Sequence, residues 1–243
     1  GLATVVFGTG MAAIGSTLLA LLRQGDHIVS SAFLFGNTNS LFNTFKELGI
    51  EVSFVDATDV QNVEAAIQPN TKLVFVETIA NPVTQVADLA PIGELCADKN
   101  LVYFVDNTMT SPWLFLPVTV KASLVINSLT KYIGGHGNAL GGSVTDTGLF
   151  DWSGFENIYD NYKQGEARQW GITQIRKKGL RDFGAALAPE AAHLISVGSD
   201  TLSMRLTKAC SNAKTIAEFC EAHPKVRKVF YPGLADHPQH ERA

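Results

Sequence analysis

The chain has 243 residues, of which 46% are hydrophobic and 17% charged, so it can bury a large core and is not a disordered chain. Its formal net charge is −4, which excludes the strongly basic surface that attracts nucleic acids or anionic membranes. This length fits one large domain, or one domain with part of a second.

The first 22 residues carry no charge, and a segment of this length could in principle span a membrane. However, the sequence GTG interrupts the segment, and no basic region typical of a signal peptide is present. We therefore predict a buried strand, a glycine turn and a buried helix here.

Short apolar runs then alternate with amphipathic segments of helical length. The predicted strands are ATVVF, HIVSS, EVSFV, KLVFV, LVYFV, SLVIN and GGSVT. The predicted helices are Met11–Leu22, Thr38–Leu48, Val60–Ile67 and Leu89–Lys99. Because the strands are continuously apolar, both of their faces must be covered. The pattern predicts an α/β fold with a mostly parallel seven-stranded sheet between helices.

The later part of the chain has a different residue composition and no alternation of strands and helices. Residues 150–181 are rich in aromatic, polar and glycine residues and are interpreted as an insertion or long loop. Two long helices are predicted over residues 183–200 and 201–223, and KVRKVFYPGL begins another strand pattern. We assign residues 1–199 to a large domain and residues 200–243 to a linking helix and the start of a smaller C-terminal α/β domain. Further chain is expected at both ends.

Cysteines are few and widely spaced. Cys96, Cys210 and Cys220 form no CxxC pair, so neither a disulfide framework nor a zinc site is indicated. We expect three buried thiols in a protein of the reducing cytoplasm, and no bound metal.

Polar residues follow several of the predicted strands, at the sheet edge where α/β proteins bind ligands. Gly8-Thr9-Gly10 leads into a helix, whose free N–H groups and dipole suit a phosphate. Ser128 and Thr130 add hydroxyl donors. Asp106 ends a buried strand, where a carboxylate needs a cation or a donor, and Lys131 supplies an amine.

Each of these features alone has an ordinary explanation. Glycine turns usually only connect elements, a strand-terminal aspartate usually caps a turn, and a lysine after a strand is usually solvated. Their convergence at one edge favours a site. The run GTGMAA also matches a dinucleotide fingerprint, but the next strand ends without the acidic residue that binds the ribose. Nicotinamide binding is therefore the weaker interpretation.

The combined motifs resemble those of the Cys/Met-metabolism enzymes that use pyridoxal 5′-phosphate (PLP). The resemblance spans nearly the whole chain and is carried by GTGMAAI, ETIANP, FVDNTMTSP, INSLTKYIGGHG and VFYPGLADHPQH. It implies the aspartate aminotransferase-like fold (fold type I) of PLP-dependent transferases, with PLP as cofactor.

The same resemblance implies roles for individual residues. Lys131 is the Schiff-base lysine, and Asp106 pairs with the pyridine nitrogen and keeps it protonated. Asn81 resembles the residue that hydrogen-bonds the ring hydroxyl, and Thr108 is a further cofactor-binding position. The implied phosphate-binding residues are Gly10 and Met11, through their backbone N–H groups, together with Ser128 and Thr130.

Phe35 lies where most family members carry a tyrosine that stacks on the cofactor ring. Phenylalanine keeps the stacking but lacks the hydroxyl, so other groups must do any acid–base work at this position. Asn138 also replaces an aspartate that several branches carry after the histidine. We expect His136 to be structural and to hold the glycine turn.

The stretches SSAFLFGNTN and SVTDTGLFDW resemble the O-acetylhomoserine sulfhydrylase branch. This implies γ-replacement on O-acetyl-L-homoserine or O-succinyl-L-homoserine with sulfide or a thiol, giving homocysteine in methionine biosynthesis. The alternatives are a methionine or cystathionine γ-lyase, a cystathionine γ-synthase, and, from another class, a noncatalytic PLP-binding protein.

Active sites of this family are shared between subunits, so the resemblance also implies a homodimer or homotetramer. The family's arginine for the substrate carboxylate, and the tyrosine and arginine that reach a neighbouring subunit's phosphate, have no counterpart in this sequence. We expect them outside it.

Overall fold

The computed structural model describes residues 1–243 and contains one mixed sheet of seven strands. The strands follow the order β1-β7-β6-β5-β4-β2-β3, and β7 alone runs antiparallel to its neighbours. The mostly parallel seven-stranded sheet predicted from the sequence is confirmed. The strands are β1 (Ala3–Phe7), β2 (His27–Ser31), β3 (Glu51–Val55), β4 (Thr71–Glu77), β5 (Val102–Asp106), β6 (Leu124–Ser128) and β7 (Gly142–Asp146).

The four helices predicted between the strands are present, and their ends agree with the prediction to within two residues. Short 3₁₀ turns also occur at Pro117–Val120, Trp152–Gly154, Asp160–Tyr162, Ala167–Gln169 and His240–Arg242. The α-helices are α1 (Gly10–Leu21), α2 (Gly36–Glu47), α3 (Val60–Ala65), α4 (Leu89–Asp98), α5 (Ser111–Leu114), α6 (Trp170–Gln174), α7 (Pro189–Ser199) and α8 (Leu202–Glu221); a π-helical stretch, Ile175–Arg181, follows α6 directly.

The sheet separates two apolar clusters, one on each face. Strand β5 shows how this arises: Val102 and Phe104 belong to the larger cluster, whereas Tyr103 and Val105 belong to the smaller one. Successive side chains of a strand point to opposite faces, so an unbroken apolar strand supplies both clusters. Helices α1, α2 and α6 cover the larger cluster, and α3 and α4 cover the smaller one.

The uncharged N-terminal segment forms β1, a turn and α1, as predicted. Helix α1 is buried along most of its length. Among the helices of the structure, none has both the length and the apolar character needed to cross a bilayer.

Residues 150–181 form helical turns that pack into the core, so the interpretation as a long loop is wrong, whereas the interpretation as an insertion stays a prediction. Phe150, Trp152, Phe155, Ile158, Ile172 and Ile175 all belong to the larger core cluster. Trp152 is fully buried and donates its indole N–H to the Asp146 carboxylate at 3.2 Å. Its first part consists of short helical turns, which leave no periodic signal in the sequence, and α6 with the π-helical stretch after it packs on α1.

Three other expectations are corrected in the last third of the chain and at the cysteines. The helix predicted over residues 183–200 begins only at Pro189, a residue favoured in the first turn of a helix. KVRKVFYPGL forms no strand, because no neighbouring backbone pairs with it. Of the cysteines only Cys96 is buried; Cys210 is exposed and Cys220 is partly exposed.

Candidate active site

A cavity of about 610 Å³ opens at the carboxyl ends of the central strands, beside the start of α1. Its lining brings together residues that are far apart in the sequence. All nine residues predicted to bind the cofactor line it: Gly10, Met11, Phe35, Asn81, Asp106, Thr108, Ser128, Thr130 and Lys131.

The N-terminus of α1 forms one wall of this cavity. Thr9 caps the helix, since its hydroxyl accepts from Ala12 N–H at 2.9 Å and its carbonyl accepts from Ala13 N–H at 3.0 Å. The N–H groups of Gly10 and Met11 precede these and have no partner within the helix. Two adjacent donors at the positive end of the helix dipole therefore remain available for an anion.

Position 10 must be glycine because Ser128, on the opposite wall of the cavity, lies very close to it. A Cβ at this position would lie 2.8 Å from the Cβ of Ser128, nearer than two such atoms approach. The absence of a side chain thus leaves the Ser128 hydroxyl and the start of α1 facing a common space. Ser128 uses its backbone rather than its side chain to bond Thr108: its N–H donates to the Thr108 hydroxyl at 2.8 Å.

Thr130 is already engaged with the backbone. Its hydroxyl lies 3.2 Å from Gly141 O, to which it donates, and accepts from Gly141 N–H at 3.1 Å. These two bonds join the end of β6 to the start of β7. A hydroxyl has two lone pairs, so Thr130 retains one acceptor position, but it would have to rotate its proton away from Gly141 to donate to a phosphate.

Asp106 lies at the end of β5 in a setting that disfavours its charge. Burial raises the pKa of its carboxyl group, and the backbone N–H of Thr108, 2.9 Å from Oδ1, only partly offsets this. None of the ion pairs in the structure includes Asp106. A buried carboxylate without a cation favours binding of a positively charged or protonated group.

Glu77 is a second acidic residue at this edge, and the sequence reasoning gave it no role. It ends β4 directly opposite Asp106 in the register of the two strands. Burial, and then repulsion by Asp106, raises the pKa of Glu77 to about 8. The signal that could have identified it is a charged residue directly after the apolar run LVFV, three residues before the Ala80-Asn81-Pro82 turn.

Glu77 holds the loop that bears Phe35. The backbone N–H of Phe35 donates to Glu77 Oε1 at 2.6 Å. The backbone N–H of Asn81 acts with that of Phe35 to lower the pKa of Glu77, against the larger effect of burial. The Phe35 side chain is 39% exposed and lines the cavity. A buried carboxyl group therefore anchors the loop that bears this side chain.

Lys131 follows β6 in a tight turn and is exposed towards the cavity. Its N–H donates to Ser128 O at 3.2 Å, and its carbonyl accepts from Gly135 N–H at 2.7 Å. His136 Nδ1 lies 2.8 Å from Gly134 O, which agrees with the structural role expected for this histidine.

Arg205, on α8, also lines the cavity and was missed. It lies more than seventy positions from the Lys131 turn in the sequence but contacts it through Tyr132 O at 2.7 Å. No local motif marks this residue, since the contact exists only once α8 lies beside the Lys131 turn.

Comparisons with known proteins agree with this geometry. The family model described as Cys/Met metabolism PLP-dependent enzyme matches residues 1–243. An L-methionine gamma-lyase of Fusobacterium nucleatum subsp. polymorphum is 38% identical, over 100% of this chain and 57% of its own length. An O-acetyl-L-homoserine sulfhydrylase of Leptospira meyeri is 36% identical, over 97% of this chain and 58% of its own.

A solved structure of an O-acetylhomoserine sulfhydrylase from Wolinella succinogenes superposes with a TM-score of 0.87 at 36% identity, covering 99% of this chain and 68% of that one. The chain spans rather more than half the length of the curated relatives it matches. A match over all 243 residues, together with the shared fold, shows that this chain belongs to the PLP-dependent enzymes of Cys/Met metabolism.

Proposed function

We propose that this chain carries the cofactor-binding part of an enzyme that catalyses γ-replacement on O-acetyl-L-homoserine or O-succinyl-L-homoserine. In this reaction the Cγ–O bond breaks, the carboxylate of the acyl group leaves, and sulfide or a thiol forms a new Cγ–S bond. With sulfide the product is homocysteine, an intermediate of methionine biosynthesis. The observation that carries the proposal is the convergence of Lys131, Asp106 and the N-terminus of α1 on one cavity.

The residues of the cavity fit PLP. Asp106 is a buried carboxyl group without a cationic partner, which suits a protonated pyridine nitrogen. The free N–H groups of Gly10 and Met11 and the adjacent Ser128 hydroxyl suit a phosphate, in a space that a side chain at position 10 would fill. PLP, when bound, supplies the electron sink for carbanion chemistry at the amino acid.

The chain's own residues then have distinct tasks. Asp106 would hold a proton on the pyridine nitrogen, Phe35 would pack on the ring, and Asn81 and Thr108 would contact its polar edge. Gly10, Met11, Ser128 and Thr130 would hold the phosphate. The Lys131 amine would hold the cofactor and would move protons at Cα and Cβ of the substrate.

Phe35 supports replacement over elimination, because it offers no hydroxyl for proton transfer at the position where most of the family has tyrosine. The principal alternative is γ-elimination. It has support of its own, since relatives named as L-methionine gamma-lyases and a canavanine gamma-lyase match at 37–39% identity, as closely as the sulfhydrylases. The family assignment does not separate these two outcomes, so the reaction must be measured.

The test compares two assays on the purified full-length protein. The first supplies O-acetyl-L-homoserine with sulfide, and the second supplies L-methionine alone. Homocysteine formation in the first assay, at a rate at least tenfold above 2-oxobutyrate release in the second, supports replacement. Release of 2-oxobutyrate as the sole product in both assays would overturn it in favour of a lyase.

We further propose that the active protein is a cytoplasmic homodimer or homotetramer, with residues 200–243 linking to a smaller C-terminal domain. Apolar side chains exposed around α5 support an interface, since surfaces of this kind are commonly covered by a partner. They are Trp113, Leu114, Leu116 and Val118, each at least 43% exposed. Light scattering of the purified protein measures the oligomer directly, and a monomeric mass would contradict this part of the proposal.

A further inference from the structure

The turn after Lys131 is a short irregular segment between β6 and β7. Within it, Gly134 N–H donates to Leu129 O at 2.8 Å, and Gly135 has a φ of 74°, which favours glycine. The carbonyl groups of Tyr132 and Ile133 point away from these bonds. Their partner comes from α8, a helix that begins some seventy residues later.

The Arg205 side chain donates hydrogen bonds to these two carbonyl groups and to two further oxygens. Its Nη1 donates to Tyr132 O at 2.7 Å, and its Nη2 donates to Ile133 O at 3.2 Å and to Gly198 O at 2.8 Å. Its Nε donates to the Thr201 hydroxyl at 3.0 Å. The guanidinium group takes part in no ion pair, so its donors are directed at neutral oxygens of the turn and of α7.

Glycines make this approach sterically possible. A Cβ at Gly135 would lie 2.3 Å from Arg205 Cζ, and a Cβ at Gly198 would lie 2.0 Å from Gly134 O. Both distances are shorter than real Cβ contacts: a side chain at position 198 would push α7 away from the backbone of the turn, and one at position 135 would displace the Arg205 guanidinium group from it. The two glycines therefore allow one guanidinium group to bind two elements together.

We propose that Arg205 is a positioning residue that fixes the backbone of the Lys131 turn. A lysine amine that both holds a cofactor and moves protons has to stand within a fraction of an ångström of its target, and its flexible side chain cannot provide that alone. The planar guanidinium group binds successive carbonyls of the turn, which a single ammonium group cannot do with the same geometry. This inference rests on the proposed role of Lys131.

The test uses three variants of the full-length protein. Arg205→Ala removes the contacts, Arg205→Lys keeps the charge without the planar donors, and Lys208→Ala removes an exposed charge one turn further along α8. Hydrogen–deuterium exchange is followed in a peptide that contains residues 129–137 and in peptides of β4 and β5. In parallel, the pH midpoint of the cofactor absorbance band is measured for each variant.

We expect Arg205→Ala to raise exchange in the 129–137 peptide at least tenfold while the β4 and β5 peptides are unchanged. Its absorbance midpoint should move by at least half a pH unit. Arg205→Lys should give a smaller change of the same kind, and Lys208→Ala none. Because exchange reports on the backbone itself, it tests Arg205 even if Lys131 proves not to bind the cofactor.

Two results would overturn the proposal. One is an Arg205→Ala protein whose exchange and absorbance midpoint match the wild type. The other is a uniform rise in exchange across the turn, β4 and β5, which would mean that Arg205 contributes only to global stability. Failure of the proposed function would show differently, as a wild-type protein that has no cofactor band although its Arg205 variant exchanges faster in the turn.

Discussion

Glu77 and Asp106 occupy the same register position on adjacent parallel strands, so two carboxyl groups end side by side at the edge of the sheet. Burial raises the pKa of both groups, and repulsion by Asp106 adds to the shift at Glu77, whose pKa is raised to about 8. Two carboxylates this close are costly to ionise together without a cation. We therefore expect both carboxyl groups to respond to pH and to a cationic ligand in the cavity.

Glu77 makes the cofactor-free protein less stable as the pH rises. Its pKa of about 8 in the folded protein exceeds the value of 4.5 for a free glutamate, so its contribution to stability is complete below pH 4.5 and is lost as the pH rises to about 8. Over that window the free energy of unfolding should fall by up to about 1.4 kcal/mol per pH unit from this group. Urea unfolding at several pH values measures the slope. Glu77→Gln should flatten it, and an identical slope in the variant would contradict the assignment.

Asp106→Asn removes the carboxylate that we assign to the pyridine nitrogen. A hydrogen bond to a charged group contributes about 1.5–3 kcal/mol, so PLP affinity should fall by about 10-fold to 100-fold. The cofactor-free variant should be at least as stable as the wild type, because the buried charge is gone. Absorbance titration with PLP and thermal unfolding measure the two effects. Wild-type PLP affinity in the variant would rule out the proposed pairing.

Lys131→Ala should abolish the absorbance band that bound PLP gives near the border of the ultraviolet and visible ranges, because no amine remains to bind the aldehyde. Turnover of O-acetyl-L-homoserine should be lost with it. Lys121→Ala is a suitable control, since that lysine lies on the surface and pairs with Glu94. A wild-type protein that stays colourless after addition of PLP would contradict the assignment. A coloured but inactive wild type would favour the noncatalytic alternative.

Phe35→Tyr restores the hydroxyl that most of the family carries at this position. If that hydroxyl transfers protons during elimination, 2-oxobutyrate release from L-methionine should increase at least tenfold relative to homocysteine formation. A tenfold increase is smaller than the rate enhancement that general acid–base groups usually contribute. Phe35→Leu controls for the change of side chain without adding a hydroxyl. An unchanged ratio of the two products in Phe35→Tyr would remove this residue as a basis for preferring replacement.

Gly171→Ala tests whether residues 150–181 belong to the core. The added Cβ would lie 2.1 Å from Cε2 of the fully buried Trp152, so the variant should lose about 1–3 kcal/mol of stability. Gly36→Ala is a matched control, because nothing lies within 4 Å of a Cβ there and the position begins α2. Thermal unfolding compares the two. Equal melting temperatures for Gly171→Ala and the wild type would show that the segment is loosely packed.

Periodic stretches were predicted well, and the reason is physical. The strands that contribute to both core clusters are continuously apolar, and α1, α2 and α4 carry faces with helical spacing, so their location follows from burial alone. The segment around Trp152 was misread because its turns are too short for any period. The strand expected in KVRKVFYPGL was wrong for a different reason, since a strand needs hydrogen-bonding partners that its own residues cannot supply.

Some residues of the candidate site were likewise predictable from the sequence, and others were not. The sequence alone determined the residues that end strands or begin α1, including Asp106, Ser128 and Gly10, because parallel strands necessarily bring their carboxyl ends to one edge. The tertiary structure alone decided that Glu77 holds the Phe35 loop, and that Arg205 reaches the Lys131 turn across more than seventy residues. Such contacts depend on which elements pack together in space. At the Lys131 turn this packing requires Gly198, because a Cβ there would lie 2.0 Å from Gly134 O, and the sequence alone does not reveal that requirement.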